Sequence, residues 1–255
     1  MNFVVLASGK GKRIKSLTKN YPKAIIKVTK KLRILDFVNF AIPVNFKKIA
    51  VLGYKFQNTI NFFLKKNFII IKNKNYNSTN MVETMFCSIE KLNKTDVIVI
   101  YSDIIFEKKL IQKLIRKRGN IIPLNSNWIQ NWKKRMKNKE ILKDAENITT
   151  KNGKIINLGG KIIGKKPKYQ FMGIAKFKYS DFIKLRKFYK KLNNQKIDFT
   201  TFINLSIKKK IINIGFISTK TFWTEIDSVN DLKVCKRIIN YELPSNYIKN
   251  IERQL

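Results

Sequence analysis

Gly9-Lys10-Gly11-Lys12-Arg13 follows the apolar run Phe3-Val4-Val5-Leu6 almost directly, and Lys23 stands ten residues beyond Arg13, behind a proline. Two glycines let a backbone come close to a phosphate chain and turn its N–H groups toward it. An arginine can fork onto two phosphate oxygens, and Pro22 stiffens the backbone beside a single lysine. The pattern is neither of the common nucleotide fingerprints. It lacks the Gly-Lys-Ser/Thr ending of a P-loop, and Ile14 stands where a dinucleotide fingerprint has Gly or Ala. Phosphate binding is the chemistry this spacing points to. The plain alternative is that any loop of a lysine-rich chain is cationic.

The chain contains no histidine. That removes Ser-His and Cys-His nucleophile pairs, histidine-zinc sites and any histidine general base. Cys87 and Cys235 have neither paired spacing nor a metal-ligand pattern, which fits a reducing compartment. Chemistry must then run on carboxylates, lysines, hydroxyls or metal-bound oxygens. With 16 Asp+Glu against 54 Lys+Arg, aspartates at strand ends stand out. Asp103 follows Val97–Tyr101, and Asp227 follows Trp223-Thr224-Glu225-Ile226. Each also has a structural alternative as a helix cap, Asp103 ahead of a helix starting near Glu107 and Asp227 beside Ser228.

These residues need elements to hold them. At 255 residues and 44% hydrophobic content the chain can bury a sizeable core. Phe3–Leu6, Ile49–Leu52, Phe68–Ile71, Val97–Tyr101 and Ile121–Leu124 read as buried strands. Between them Ile34–Ile42, Phe56–Leu64, Met81–Leu92 and Lys108–Lys117 carry apolar residues at helical spacing. The alternation predicts an α/β layer sandwich around a mainly parallel sheet. Farther on, Asn152-Gly153 marks a hairpin, Tyr169–Phe177 and Ile211–Ile217 read as strands, and Ser180–Lys191 and Phe199–Lys208 as helices. Ser228 with Asp231 caps a last helix running through Ile239. With no repeat and no linker, a single domain spanning 1–255 with an inserted substrate-facing portion is the simplest account. In such sheets ligands sit beyond the carboxyl ends of the strands. The opening loop and Ser102-Asp103 both lie there.

The formal charge of +38 draws polyanions. Lysine, asparagine and isoleucine are over-used together along the whole chain, with no separate basic arm, so the excess reads as compositional. No nucleic-acid partner is favoured, although the field suits nucleotides and sugar phosphates. No segment reaches the ~20 apolar residues that span a bilayer, and the terminal charges follow the apolar run, the reverse of a signal peptide. A cytoplasmic protein without membrane insertion is expected.

The motifs together resemble a family. Leu6-Ala7-Ser8-Gly9-Lys10-Gly11-Lys12-Arg13, then Thr18, then Pro22-Lys23-Ala24, is similar to the signature of the sugar nucleotidyltransferases. The resemblance continues through Val51-Leu52-Gly53-Tyr54, Thr79-Asn80-Met81, Tyr101-Ser102-Asp103, Lys165-Lys166-Pro167, Met172-Gly173 and Trp223-Thr224-Glu225-Ile226-Asp227. The Thr-Asn-Met and Trp-Thr-Glu segments are most similar to the phosphocholine cytidylyltransferase-like branch. Three positions depart from the pattern: Ser8, Lys12, and Ser102 in place of glycine.

The resemblance implies a Rossmann-like three-layer fold and a Mg²⁺-dependent attack by an acceptor phosphate on the α-phosphorus of a nucleoside triphosphate, CTP favoured. Arg13 and Lys23 would be catalytic, with Asp103 and Asp227 holding the metal. Leu6, Ala7, Ser8, Gly9, Gly11, Lys12, Gly53, Tyr54, Asn80 and Ser102 would complete a nucleotide-binding half over 1–125. Lys166, Trp128, Asp144, Glu146, Gly173, Trp223 and Glu225 would bind the acceptor from 126–255. Several have plain alternatives: Lys12, Lys23 and Lys166 as solvated lysines, Tyr54 as packing and Glu225 as a surface ion pair. Trp128, Trp132 and Trp223 could cage a quaternary ammonium such as choline or form a buried stripe. The acceptor could be phosphocholine, a phosphonate, a phosphorylated amide or a sugar phosphate, and the oligomeric state, a homodimer among the options, stays open. The rivals are a sugar-1-phosphate enzyme using UTP, dTTP or GTP, a nucleic-acid-binding module, and an inactive family member. A role in decorating cell-surface glycans or lipids follows from the resemblance alone.

Overall fold

The computed structural model describes residues 1–255 apart from residue 163 and the side chains of residues 138 and 139. The first half runs β1 (Asn2–Ala7), α1 (Ile34–Ala41), β2 (Lys47–Leu52), α2 (Phe56–Leu64), β3 (Ile69–Lys72), α3 (Met81–Phe86), β4 (Val97–Tyr101), β5 (Ile104–Phe106), α4 (Lys108–Arg116) and β6 (Ile121–Asn125). There follow α5 (Trp128–Lys133), α6 (Asn138–Asp144), β7 (Ile148–Lys151), β8 (Lys154–Leu158), β9 (Gln170–Phe171), β10 (Ile174–Phe177), α7 (Tyr179–Lys191) and α8 (Phe199–Lys208). The chain closes with β11 (Gly215–Thr219), β12 (Trp223–Glu225), α9 (Val229–Glu242) and α10 (Tyr247–Glu252).

One sheet carries the order β3-β2-β1-β4-β10-β6-β11-β8-β7, with β9 alongside β6. Strands β3, β2, β1 and β4 are parallel to one another, and β6 is parallel to β11. Strand β10 runs antiparallel between β4 and β6. The expected α/β class with a mixed central sheet is therefore observed. Every residue of β1 is buried, as a strand covered on both faces requires. Phe3, Val5 and Ala7 point into one apolar layer with Leu35 and Phe63, while Val4 and Leu6 enter the opposite layer with Val82 and Phe86. This is the period-two alternation of a pleated strand.

The chain leaves β1 toward β2 on one side and later returns to place β4 on the other. The crevice where the connections diverge lies at the carboxyl ends of β1 and β4, where an open α/β sheet binds ligands. Two further features complete it. Strands β5 and β12 pair as a separate antiparallel ribbon, Glu225 opposite Ile104. A third apolar cluster packs Ile226, Leu232 and Ile239 against Ile34, Phe37 and Ile105, anchoring the segment that follows β12.

Several predicted boundaries shift for identifiable reasons. The helix expected over Met81–Leu92 stops at Phe86 and resumes as a 3₁₀ turn at Ile89–Lys91. The Ser88 hydroxyl donates to the Met85 carbonyl at 2.6 Å, a local bond that competes with helix continuation. The strand expected over Tyr169–Phe177 is cut in two at Gly173, whose φ is +73°. The strand expected at Ile211–Ile217 forms at Gly215–Thr219 instead. Asn152 and Gly153 both have positive φ, the turn that an Asn-Gly hairpin was predicted to make.

Candidate active site

The opening loop is shaped around Gly11, which adopts φ 62°, ψ 46°. A Cβ there would lie 2.9 Å from Thr18 Cγ2 and 3.1 Å from Lys23 Cγ, so only glycine lets the loop fold back on the lysine. Thr18 secures the fold with its hydroxyl 3.2 Å from the Ile14 carbonyl. Pro22 precedes a 3₁₀ turn at Lys23–Ile25 whose Ala24 and Ile25 are buried. Lys23 is thereby aimed back across the carboxyl end of the sheet.

Its ammonium meets both strand-end aspartates. Nζ donates to Asp103 Oδ2 at 2.7 Å and also to Asp227. Asp103 sits in the tight turn between β4 and β5. Asp227 follows β12, and the Ile226 amide donates to the Asp103 carbonyl at 2.9 Å, so the ribbon fixes the two carboxylates side by side. Arg13 Nη2 reaches Asp227 Oδ2 at 2.8 Å from the exposed side. Burial disfavours the charge on Lys23, but the Asp103 and Asp227 carboxylates outweigh it and hold its pKa above the ordinary value. Burial likewise opposes ionisation of Asp227, and the cations Lys23, Arg13 and Arg135 reverse that, so its pKa is lowered.

Two cavities meet at this cluster and share Arg13, Lys23, Met81, Tyr101 and Asp103. The smaller, about 270 Å³, is bounded by the loop residues Ser8, Gly9, Gly11 and Lys12 with Leu6 and Ser102. Nothing lies within 4 Å of a Cβ placed on Gly9, so that backbone faces open space. The larger, about 430 Å³, extends toward Asp144, Glu146, Asp198, Thr200 and Glu225, with Trp132, Phe171 and Phe199 as apolar wall.

A buried ionic network backs the larger cavity. Arg135 lies 3.4 Å from Glu225 and 3.2 Å from Asp231. Asp231 accepts from the backbone amides of Asp227 at 3.1 Å and Ser228 at 2.7 Å, and the Ser228 hydroxyl accepts from the Asp231 amide. This is the predicted cap of α9, and it also immobilises Asp227. Burial raises the Glu225 pKa. Arg135 opposes the rise, and the neighbouring carboxylates Asp227 and Asp103 reinforce it. Burial pushes the Cys87 thiol up to about 11 and Cys235 up to about 12, so neither is a nucleophile near neutrality.

The aspartate pair suits a hard divalent ion. Two carboxylates close on one cationic point, and Mg²⁺ is commonly held by one or two carboxylates with substrate phosphates supplying further oxygens. Among the described residues no cluster of three or more His, Cys, Asp or Glu could hold a metal ion. A protein-only cage is thus absent from them, and the aspartate pair alone could supply two of the oxygens such an ion needs.

Not every predicted residue joins these cavities. Ala7 is buried in the core beneath the loop. Gly53 and Tyr54 brace it: the Tyr54 amide donates to the Ser8 carbonyl at 3.1 Å, and a Cβ on Gly53 would collide with Tyr76. Asn80 lines the larger cavity, not the smaller one, and its side chain caps α3 through the Met81 amide. Trp128 and Trp223 are 1% exposed core residues and do not face the cavity, which corrects their assignment to the acceptor. Trp128 instead donates from Nε1 to the Pro167 carbonyl at 3.2 Å. Lys166 is exposed beside Ile129 and Lys133, away from the central cavities. Gly173 packs against the Tyr101 ring, 3.1 Å from its virtual Cβ, and its carbonyl accepts from the Tyr101 amide.

Sequence reasoning missed Tyr101 as a shared wall, and Gln170, Phe171, Asp198, Phe199 and Thr200 altogether. Asp198 carried one usable signal, as a helix cap ahead of Phe199-Thr200-Thr201 in a chain poor in acids.

Comparisons with known proteins bear on the family and the fold. A family model described as nucleotidyl transferase matches residues 2–239. The chain is 32% identical over 255 aligned positions to the CTP:phosphoglutamine cytidylyltransferase of Campylobacter jejuni subsp. jejuni serotype O:2, covering 92% of this chain and 98% of that protein. Among solved structures, an inositol-1-phosphate CTP transferase from T. maritima superposes with TM-score 0.73 at 14% identity, over 95% of this chain and 98% of that one. A CTP:phosphocholine cytidylyltransferase from Streptococcus pneumoniae gives TM-score 0.71 at 16% identity, over 93% and 98%. At such identities the structural likeness bears on the fold.

Proposed function

The chain belongs to the nucleotidyltransferase family, and from that premise we propose that it is a Mg²⁺-dependent cytidylyltransferase joining CTP to a small phosphorylated acceptor with release of pyrophosphate. The observation that carries the reading is the position of Lys23, between Asp103 and Asp227 and on the wall of both cavities. CTP occupies the loop-side cavity, largely within a nucleotide half over 1–125. The acceptor occupies the larger cavity, built mainly by 126–255. The preference for CTP rests on the full-length relative.

The reaction brings two anions together, so it needs alignment and charge neutralisation more than proton transfer. A phosphate monoester has a second pKa of about 6 and arrives ionised, which suits a chain without histidine. The amides around Gly9 and Gly11 and the side chains of Lys12 and Arg13 hold the triphosphate. Lys23 holds the transferred phosphoryl group, and Ser8 and Ser102 bound the nucleoside. Asp103 and Asp227 would hold Mg²⁺, which would supply neutralisation of phosphate charge.

The test is pyrophosphate release from CTP, UTP, GTP and dTTP, each with a panel of phosphorylated acceptors. Turnover with CTP that is abolished in Asp103→Ala and Asp227→Ala supports the reading. Turnover that survives both substitutions refutes it.

A further inference from the structure

The larger cavity has a charge opposite to that of the chain. Six of the 16 acidic residues line it, namely Asp103, Asp144, Glu146, Asp198, Glu225 and Asp227, whereas only Arg13 and Lys23 represent the 54 Lys+Arg. Both cations stand at the nucleotide end. Among the described residues, Asp144, Glu146 and Asp198 form no ion pair. Glu146 and Asp198 are half-buried and Asp144 is exposed, and in a chain of +38 three carboxylates without an ion pair at one cavity call for a cation from elsewhere.

The local hydrogen bonding narrows what that cation is. The Thr200 hydroxyl lies 2.6 Å from Glu146 Oε1 and 3.1 Å from Asp198 Oδ1, and its single proton can serve only one of them. Asp198 also accepts from the Thr201 amide at 2.9 Å. The remaining carboxylate oxygens outnumber these donors. A ligand bearing N–H bonds would fill them with charge-assisted hydrogen bonds. A quaternary ammonium has no N–H and is instead recognised by open aromatic faces. Here Trp132, Phe171 and Phe199 are only 4%, 7% and 1% exposed; the Arg135 guanidinium lies 5.0 Å over one face of Trp132, and Phe171 and Phe199 stack on each other at 5.6 Å, so they present little open aromatic face.

We propose that the acceptor carries, away from its phosphate, a protonated amine that retains N–H bonds, and that Asp144, Glu146 and Asp198 bind it. The inference rests on the nucleotidyltransfer reading and names the substrate class of the same site. It excludes neutral sugar phosphates and phosphocholine as preferred acceptors.

The experiment uses matched acceptors that differ only in the terminal group: 2-aminoethyl and 4-aminobutyl phosphate against their hydroxyl and trimethylammonium counterparts. Calorimetry first measures Mg²⁺ plus a non-hydrolysable CTP analogue, then each acceptor on that complex, and pyrophosphate release is followed with CTP. The expected result is at least a tenfold preference for an amino compound. In Glu146→Gln and Asp198→Asn its KM should rise about 10- to 100-fold with CTP affinity unchanged. Asparagine caps a helix as well as aspartate, so the second variant keeps α8 intact. A hydroxyl or trimethylammonium acceptor that does as well overturns the inference, as does nucleotide binding with no amine bound at all. Failure to bind the nucleotide overturns the underlying reading and the inference with it.

Discussion

Lys23 and Asp103 stand 80 residues apart in the chain, yet the ammonium of one donates to the carboxylate of the other across 2.7 Å. The contact exists because β1 and β4 are neighbours in parallel register, Leu6 opposite Tyr101, and because the chain past β1 folds back through Gly11 and Pro22. With Asp227 on its other side, Lys23 holds two half-buried carboxylates together at the junction of the two cavities.

Lys23→Met should lower kcat by about 10²- to 10³-fold, the scale expected for losing one preorganised charge in a transition state. It should also lower thermal stability, because Asp103 and Asp227 then face each other without the cation they share, and only Asp227 keeps a partner in Arg13. Lys23→Arg should recover most of the stability and little of the activity, since a planar guanidinium cannot replace a point charge in this space. Parallel melting curves and single-turnover rates would distinguish the two effects. Equal recovery of both would count against a catalytic role.

Gly11→Ala places a methyl group against Thr18 and Lys23 in a left-handed conformation that costs roughly 1–2 kcal/mol for a residue with a side chain. The expected outcome is at least a tenfold loss in kcat/KM for CTP. Thr18→Ser removes the nearest obstructing carbon while keeping the hydroxyl, so the double variant should regain part of the loss. Independent, additive losses would show that the close approach is not what matters.

Burial raises the Glu146 pKa above 4.5; the Thr200 hydroxyl opposes the shift, and Asp198 and Asp144 reinforce it. A carboxyl with a raised native pKa binds its proton more tightly folded than unfolded, so stability falls as pH rises between the two values. The penalty is absent below about pH 4 and complete above the native pKa. Glu146→Gln should therefore be more stable than the parent at pH 8 and equal to it at pH 4, by urea unfolding without ligand. A difference independent of pH would contradict this sign.

Trp128→Phe should cost about 1 kcal/mol through loss of its hydrogen bond to Pro167 while leaving KM for both substrates unchanged. Steady-state kinetics beside urea unfolding would check it. An effect on acceptor KM alone would restore Trp128 to the binding site.

What the sequence made legible follows from how local each signal is. The Gly9–Arg13 loop, Pro22-Lys23 and the strand-end aspartates are short-range patterns, and their elements formed almost where expected. The ribbon that pairs β5 with β12 was not foreseen, because two three-residue strands far apart in the chain leave no periodicity that announces their pairing. The wall formed by Gln170, Phe171, Asp198 and Thr200 depends on how β9 and α8 meet, a tertiary fact. Trp128 and Trp223 could be read either as part of a cage or as a buried stripe, and it is the buried stripe that forms, because nearby apolar residues cover them.

The most direct measurement is the stoichiometry of products from Mg²⁺, CTP and an amine-bearing phosphate acceptor, followed by ³¹P NMR. One pyrophosphate and one CDP-linked product per CTP consumed, with neither formed when the acceptor is omitted, is the predicted result. CMP or inorganic phosphate formed without acceptor, or no consumption of any triphosphate alongside tight, salt-sensitive binding of nucleic acid, would contradict it.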